Sequence, residues 1–72
     1  MNRIKEVLEE KVIKQTWLAE KIGKSFSQTN AYVCNRRQPS LEMLFEIAEI
    51  LGVDVKELID SKGKKIEYGK DK

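Results

Sequence analysis

The chain has 72 residues, of which 36% are charged, and its net charge is +2. This length suits a single domain with a thin core, and the sequence predicts neither a signal peptide nor a membrane helix, because it lacks a long apolar run. It contains no histidine and one cysteine, Cys34, which argues against a structural zinc site, an internal disulfide and a nucleophile activated by imidazole. We therefore expect a soluble, cytoplasmic protein that is not an enzyme and needs no cofactor or metal.

Charge is distributed unevenly along the chain. Residues 21–41 carry four basic side chains and no acidic one, whereas residues 42–60 carry six acids and one lysine. Residues 61–72 are basic again, with five lysines against two acids. The acid-free segment is the informative one, because an anion such as phosphate could approach it without repulsion.

Helical periodicity dominates the sequence. Apolar residues from Ile4 to Val12 predict a first helix over about residues 2–11, with Asn2 as its N-cap. A second helix is predicted to begin near Gln15 and to stop at Gly23, since glycine takes left-handed dihedrals without steric cost.

A third helix is predicted between Ser25 and Cys34. The Ser25 hydroxyl would cap it by accepting from the amide of residue 27 or 28. Asn35 would then leave the helix in a left-handed conformation, and Pro39 makes the segment around it a loop.

Two further helices and a tail complete the predicted chain. Ser40 caps a fourth helix that ends at Gly52, and Asp54 caps a short fifth one. The apolar stripe of the fourth helix consists of Leu41, Leu44, Phe45, Ala48 and Leu51, widened by Ile47 and Ile50. We divide the chain into a domain of residues 1–60 and a flexible basic tail of residues 61–72.

The segment from Gln15 to Pro39 resembles the helix-turn-helix of the Cro and phage-repressor proteins, the XRE family. The resemblance covers about residues 3–59 and rests on Gln15, Leu18, Ala19, Gly23, Pro39, Ser40 and Leu41. It implies an all-α fold, a compact five-helix bundle of the lambda-repressor-like type, with the helix-turn-helix in helices 2 and 3. It also implies binding to double-stranded DNA by a transcriptional regulator.

The sequence departs from the family pattern at several positions. Lys14 stands where a serine or threonine often caps helix 2, and Asn35 replaces a usual glycine. Thr29 occupies the central apolar position of helix 3. We expect Phe26 to turn partly inward and to fill the space that Thr29 leaves.

By this resemblance, the start of helix 3 and one residue a turn further on read DNA bases. The implied base-reading residues are Phe26, Ser27, Gln28, Asn30 and Ala31. A planar amide such as that of Gln28 or Asn30 can form a bidentate pair with adenine, and Phe26 or Ala31 could touch a thymine methyl group. The alternatives are solvated polar side chains for the amides and core packing for Phe26.

Phosphate contacts are implied for residues around the same helix. Gln15 resembles the glutamine that bonds a phosphate from the N-terminus of helix 2, where the helix dipole favours an anion. Arg36 and Arg37 follow the recognition helix in a loop that would lie along the DNA backbone, and Ser25 and Asn35 could add contacts.

Relatives bind palindromes as pairs, so we expect a homodimer with half-sites about 34 Å apart. Its interface is predicted at Ile50, Val53 and Val55, although these residues could equally belong to the internal core. The expected function is that of a repressor. The alternative is an antitoxin or protein-interaction module that binds a protein partner through Ile66 and Tyr68 of the tail.

Overall fold

The computed structural model describes residues 1–59. It contains four α-helices, namely α1 (Ile4–Lys11), α2 (Gln15–Ile22), α3 (Phe26–Val33) and α4 (Leu41–Leu51), and a 3₁₀ turn (Val55–Leu58). No strand occurs within these residues; an isolated antiparallel bridge joins Asn2 to Ile59. The predicted division at residue 60 and the predicted tail lie outside the described residues.

The all-α prediction is confirmed, but the count of five helices is not, since residues 1–59 hold four α-helices and a 3₁₀ turn. The fifth element is a single 3₁₀ turn, in which Leu58 is the buried residue. After Leu58 the backbone becomes extended, and the Leu58 carbonyl accepts from the amide of Arg3 at 2.8 Å. The backbone at Leu58 and Ile59 therefore pairs with the segment before α1 instead of continuing as a helix.

Side-chain oxygens begin three of these elements. Ser25 Oγ accepts from the Gln28 amide, Ser40 Oγ from the Met43 amide, and Asp54 Oδ1 from the Lys56 amide, each at 3.1 Å. Such bonds satisfy amides that have no partner within the helix. Because lysine has no acceptor in its side chain, Lys14 offers α2 no equivalent bond.

All four helices end in the same conformation. A residue with positive φ directly follows α1, α2 and α4, and it comes one position later after α3, where Cys34 intervenes; the next amide bonds back to a carbonyl in the last turn, which is the Schellman arrangement. The positive-φ residues are Val12, Gly23, Asn35 and Gly52. The endings at the glycines and at Asn35 agree with the sequence prediction, whereas the one at Val12 was not foreseen.

The core lies where one face of each helix meets the 3₁₀ turn. Its buried apolar residues are Ile4, Val7, Leu8, Leu18, Ile22, Val33, Leu44, Ile47, Ala48, Leu51 and Leu58. Thr29 is also fully buried, and its hydroxyl donates to the Ser25 carbonyl at 2.9 Å, so the polar group is not left without a partner.

Three residues assigned to apolar stripes lie on the surface instead. Val12 is 88% exposed because it forms the left-handed end of α1. Leu41 and Phe45 are 65% and 53% exposed, since α4 turns the face of Leu44 and Ile47 towards the core. These positions leave apolar surface that the core does not use.

Candidate nucleic-acid interface

The turn between α2 and α3 fixes the position of α3. Ala19, buried on α2, receives at its carbonyl a hydrogen bond from the Lys24 amide at 3.1 Å. Gly23 supplies the left-handed residue of this turn, with φ 71°. Ser25 then caps α3 immediately, so the first turn of α3 is held firmly against α2.

The first turn of α3 presents its side chains to solvent. Phe26, Ser27 and Gln28 are exposed, whereas Asn30 and Ala31 are half-buried. Of the five predicted base-reading residues, the first three are therefore open to a ligand. Gln28 carries the planar amide that a base edge requires.

Phe26 does not turn into the core as expected. It is 50% exposed and lines an open cleft with Trp17 and Ala19 of α2. Thr29 is itself fully buried and bonds the Ser25 carbonyl, so it occupies the core position that Phe26 was expected to help fill. Phe26 thus lies at the surface between the two helices.

Trp17 forms the other wall of this cleft. The ring is 40% exposed, and Lys21, one turn further along α2, places its Nζ 5.4 Å from the ring centroid. The cation–π contact holds the lysine against the helix.

Asn30 makes two side-chain hydrogen bonds that tie separate segments together. Its Nδ2 donates to Gln15 Oε1 at 2.9 Å, and its Oδ1 accepts from Arg36 Nη2 at 2.8 Å. A predicted base-reading residue thus lies between two predicted phosphate-binding residues. The structure brings these three side chains together from α2, α3 and the following loop.

The loop after α3 begins with Asn35 at φ 61°. The amides of Arg36 and Arg37 both donate to the Ala31 carbonyl, at 2.9 and 3.1 Å, while both arginine side chains are exposed. This anchoring places two cations directly beyond the end of α3.

The side chain of Asn35 is occupied within the protein. Its Oδ1 accepts from the Asn2 amide at 2.8 Å and from Gln38 Nε2 at 3.0 Å, and its Nδ2 donates to the Asn2 carbonyl at 3.1 Å. Ser25 Oγ accepts from the Gln28 amide, which leaves its exposed hydroxyl able to donate. Both of these predicted phosphate-binding residues therefore shape the surface through internal bonds.

Asn2 is the member of this region that the sequence analysis missed. The sequence predicts it only as the N-cap of the first helix; the N-cap of α1 is Arg3 instead, although Asn2 Oδ1 does accept from the Ile4 amide at 3.0 Å. Its Nδ2 also donates to the Tyr32 carbonyl and to Gln38 Oε1, at 3.0 and 3.1 Å. No sequence pattern signals these contacts, because their partners are at least 30 residues away.

The predicted dimer residues Ile50, Val53 and Val55 are half-buried and pack against the core. Each therefore divides its surface between the interior and solvent. Among residues 1–59, no helix is long and apolar enough to cross a membrane, and no cluster of three or more potential metal ligands occurs.

A short helix with exposed polar side chains, held by a tight turn against a supporting helix and followed by two exposed arginines, is the arrangement of a helix-turn-helix protein. The model of the helix-turn-helix family matches residues 4–58, and the chain belongs to that family. The XRE-type resemblance inferred from the sequence is thereby confirmed.

Similar structures are known. A crystal structure from Bacteroides fragilis, of a protein described as a "putative DNA-binding protein", has 48% sequence identity to this chain and a TM-score of 0.82. The match covers 83% of this chain and 97% of that protein's chain. A comparison with curated proteins finds no match to this sequence.

Proposed function

We propose that this protein is a sequence-specific transcriptional regulator that binds double-stranded DNA. The observation that carries the proposal is the exposed first turn of α3, with Ser27 and Gln28 on a segment that has no carboxylate from residue 21 to residue 41. Membership of the helix-turn-helix family and the description of the Bacteroides fragilis protein support it.

In this proposal α3 enters the major groove with its first turn towards the bases. Gln28 pairs with an adenine through its amide, and Ser27 donates to a base or a phosphate. Phe26, at the edge of the cleft beside α2, and the half-buried Ala31 lie against thymine methyl groups. Specificity then comes from a few side chains on one turn of helix.

The backbone contacts come from both sides of α3. Arg36 and Arg37 project from the loop that follows it, and Gln15 lies at the N-terminus of α2, where the helix dipole favours a phosphate. One recognition helix of this length makes few base contacts. We therefore propose that the protein binds a short palindrome as a homodimer and acts there as a repressor.

The test begins with selection of bound duplexes from random DNA, followed by affinity measurements at several salt concentrations. Replacing Arg36 or Arg37 with alanine should weaken binding to every sequence and reduce the slope of log affinity against log salt by about one unit per lost phosphate contact. Lys56→Ala removes the same charge from the 3₁₀ turn, which packs against α1 and α4, and should leave the slope unchanged.

The base-reading side of the proposal is tested with Gln28→Ala. This variant should lose discrimination at one base pair, by about 1–3 kcal/mol, while the salt slope stays the same. If selection yields no preferred sequence, or if the Arg36, Arg37 and Gln28 variants all bind as the parent protein does, the proposed function is wrong.

A further inference from the structure

The half-buried Asn30 lies in the middle of α3 and contacts segments on both sides of the candidate interface. It bonds Gln15, the first residue of α2, and Arg36, the second residue of the loop after α3. A residue that only read bases would need its amide free for the groove. Both ends of the Asn30 amide are instead engaged within the protein.

The chemistry of arginine determines which end of each side-chain amide, oxygen or nitrogen, faces its neighbour in the series Gln15, Asn30, Arg36. A guanidinium group has donors and no acceptor, so Arg36 must face the oxygen of the Asn30 amide. The Asn30 nitrogen then faces Gln15, and Gln15 must accept through Oε1. As a result, Gln15 Nε2 points away from Asn30 and keeps its donors free.

The two residues at the ends of this series of hydrogen bonds, Gln15 and Arg36, are therefore suited to bind an anion. Gln15 presents an amide nitrogen at the positive end of α2, and Arg36 keeps four of its five N–H donors. Asn30, between them, carries no negative charge, and neither does any residue from 21 to 41. Oxygens of a phosphate ester match this set of donors.

We propose that Asn30 is a positioning residue that orients Gln15 and Arg36 together towards the phosphate backbone of DNA, and that it reads no base itself. The inference rests on the proposed function and deepens it by assigning the residue that positions the side chains binding the DNA phosphates. Because both side chains are already ordered in the free protein, they lose less rotamer freedom when DNA binds.

The first experiment measures Asn30→Ala against the selected operator and its single base-pair variants. Loss of the orienting bonds should weaken binding to every sequence by the same factor, about 3- to 10-fold, without changing the order of preference. Gln28→Ala is the matched control on the same helix, because it should change the preference at one base pair. Circular dichroism confirms that both variants fold.

The second experiment is a double-mutant cycle of Gln15→Ala and Asn30→Ala. If Asn30 acts through Gln15, the two effects should not add: the affinity of the double variant should be only about 2-fold lower than that of the single variant with the lower affinity. Asn30→Asp should also bind all sequences more weakly than the parent, because a carboxylate cannot donate to Gln15 and repels phosphate.

A third measurement needs no DNA. In the free protein, Gln15→Ala should shift the NMR resonances of the Asn30 side-chain amide, whereas Thr16→Ala, at the next position of α2, should not. The assignment of Asn30 would be overturned if the Asn30 resonances did not respond to Gln15→Ala, or if the effects in the double-mutant cycle were additive. It would also be overturned if Asn30→Ala relaxed the preference at a single base pair. Failure of the parent protein to prefer any sequence would instead refute the proposed function.

Discussion

Asn2 joins three parts of the chain that are far apart in sequence. Its backbone amide and carbonyl bond the side chain of Asn35, and its own side chain bonds Gln38 and the Tyr32 carbonyl. The same residue forms the bridge to Ile59. Asn2 therefore supports the loop that carries the two arginines, although it lies outside the helix-turn-helix.

This network predicts that Asn2→Asp cannot replace the native side chain. Aspartate caps helices as well as asparagine does, but it has no donor for the Tyr32 carbonyl or for Gln38. Asn2→Asp and Asn2→Ala should each lower the free energy of unfolding by about 2 kcal/mol in urea titrations, because the bonds of the Asn2 amide group to Tyr32 and Gln38 are lost at a position that is only 6% exposed. If Asn2 served only as a helix cap, the aspartate variant would be as stable as the parent.

At the scale of the elements, local signals in the sequence sufficed for most helix boundaries. Ser25 and Ser40 cap as predicted, and the glycine stops lie where they were expected, since these bonds involve residues within one turn of each other. What could not be predicted depends on contacts between elements.

Asn30 and the 3₁₀ turn illustrate this limit. The partner of Asn30 is Gln15, 15 residues away, and it is determined by how α2 and α3 cross. The predicted fifth helix gives way to an extended segment because a bridge to Asn2 competes with it. The exposure of Leu41 and Phe45 depends similarly on how α4 is rotated against the core.

The left-handed conformation of Val12 at the end of α1 was likewise not predicted from the sequence, and it can be tested directly. A β-branched side chain at φ 56° is strained, and with 88% exposure it gains little from burial. Val12→Asn should therefore raise the free energy of unfolding by about 1 kcal/mol, since asparagine tolerates this conformation. The measurement is chemical denaturation of both proteins under identical conditions.

Gly52→Ala is the opposite change at the same kind of helix end. The backbone there has φ 71°, and an added Cβ would meet nothing within 4 Å. Any loss of stability must come from the backbone conformation, and we expect about 1 kcal/mol. Equal stability of both variants and the parent would show that positive φ carries no strain in these turns.

At the scale of the whole molecule, two of the apolar surfaces that the described residues offer to a partner lie on α4 and the segment after it. One consists of the predicted dimer residues Ile50, Val53 and Val55, which are half-buried beside the core. The other consists of Leu41 and Phe45, one turn apart on α4 and more than half exposed. Pairing on a palindrome needs only one of these surfaces, because a twofold axis brings the same patch of each copy together.

The final prediction concerns which surface pairs two copies of the chain. We expect Ile50→Glu to abolish two-to-one binding on the palindrome while leaving weak one-to-one binding to a half-site, because a buried unpaired charge opposes association. Phe45→Glu is the matched control on the same helix and should keep the two-to-one complex. Analytical ultracentrifugation with labelled duplexes measures both stoichiometries, and circular dichroism checks folding. If Phe45→Glu prevents pairing and Ile50→Glu does not, the interface lies at Leu41 and Phe45; if neither does, two copies bind without using either surface.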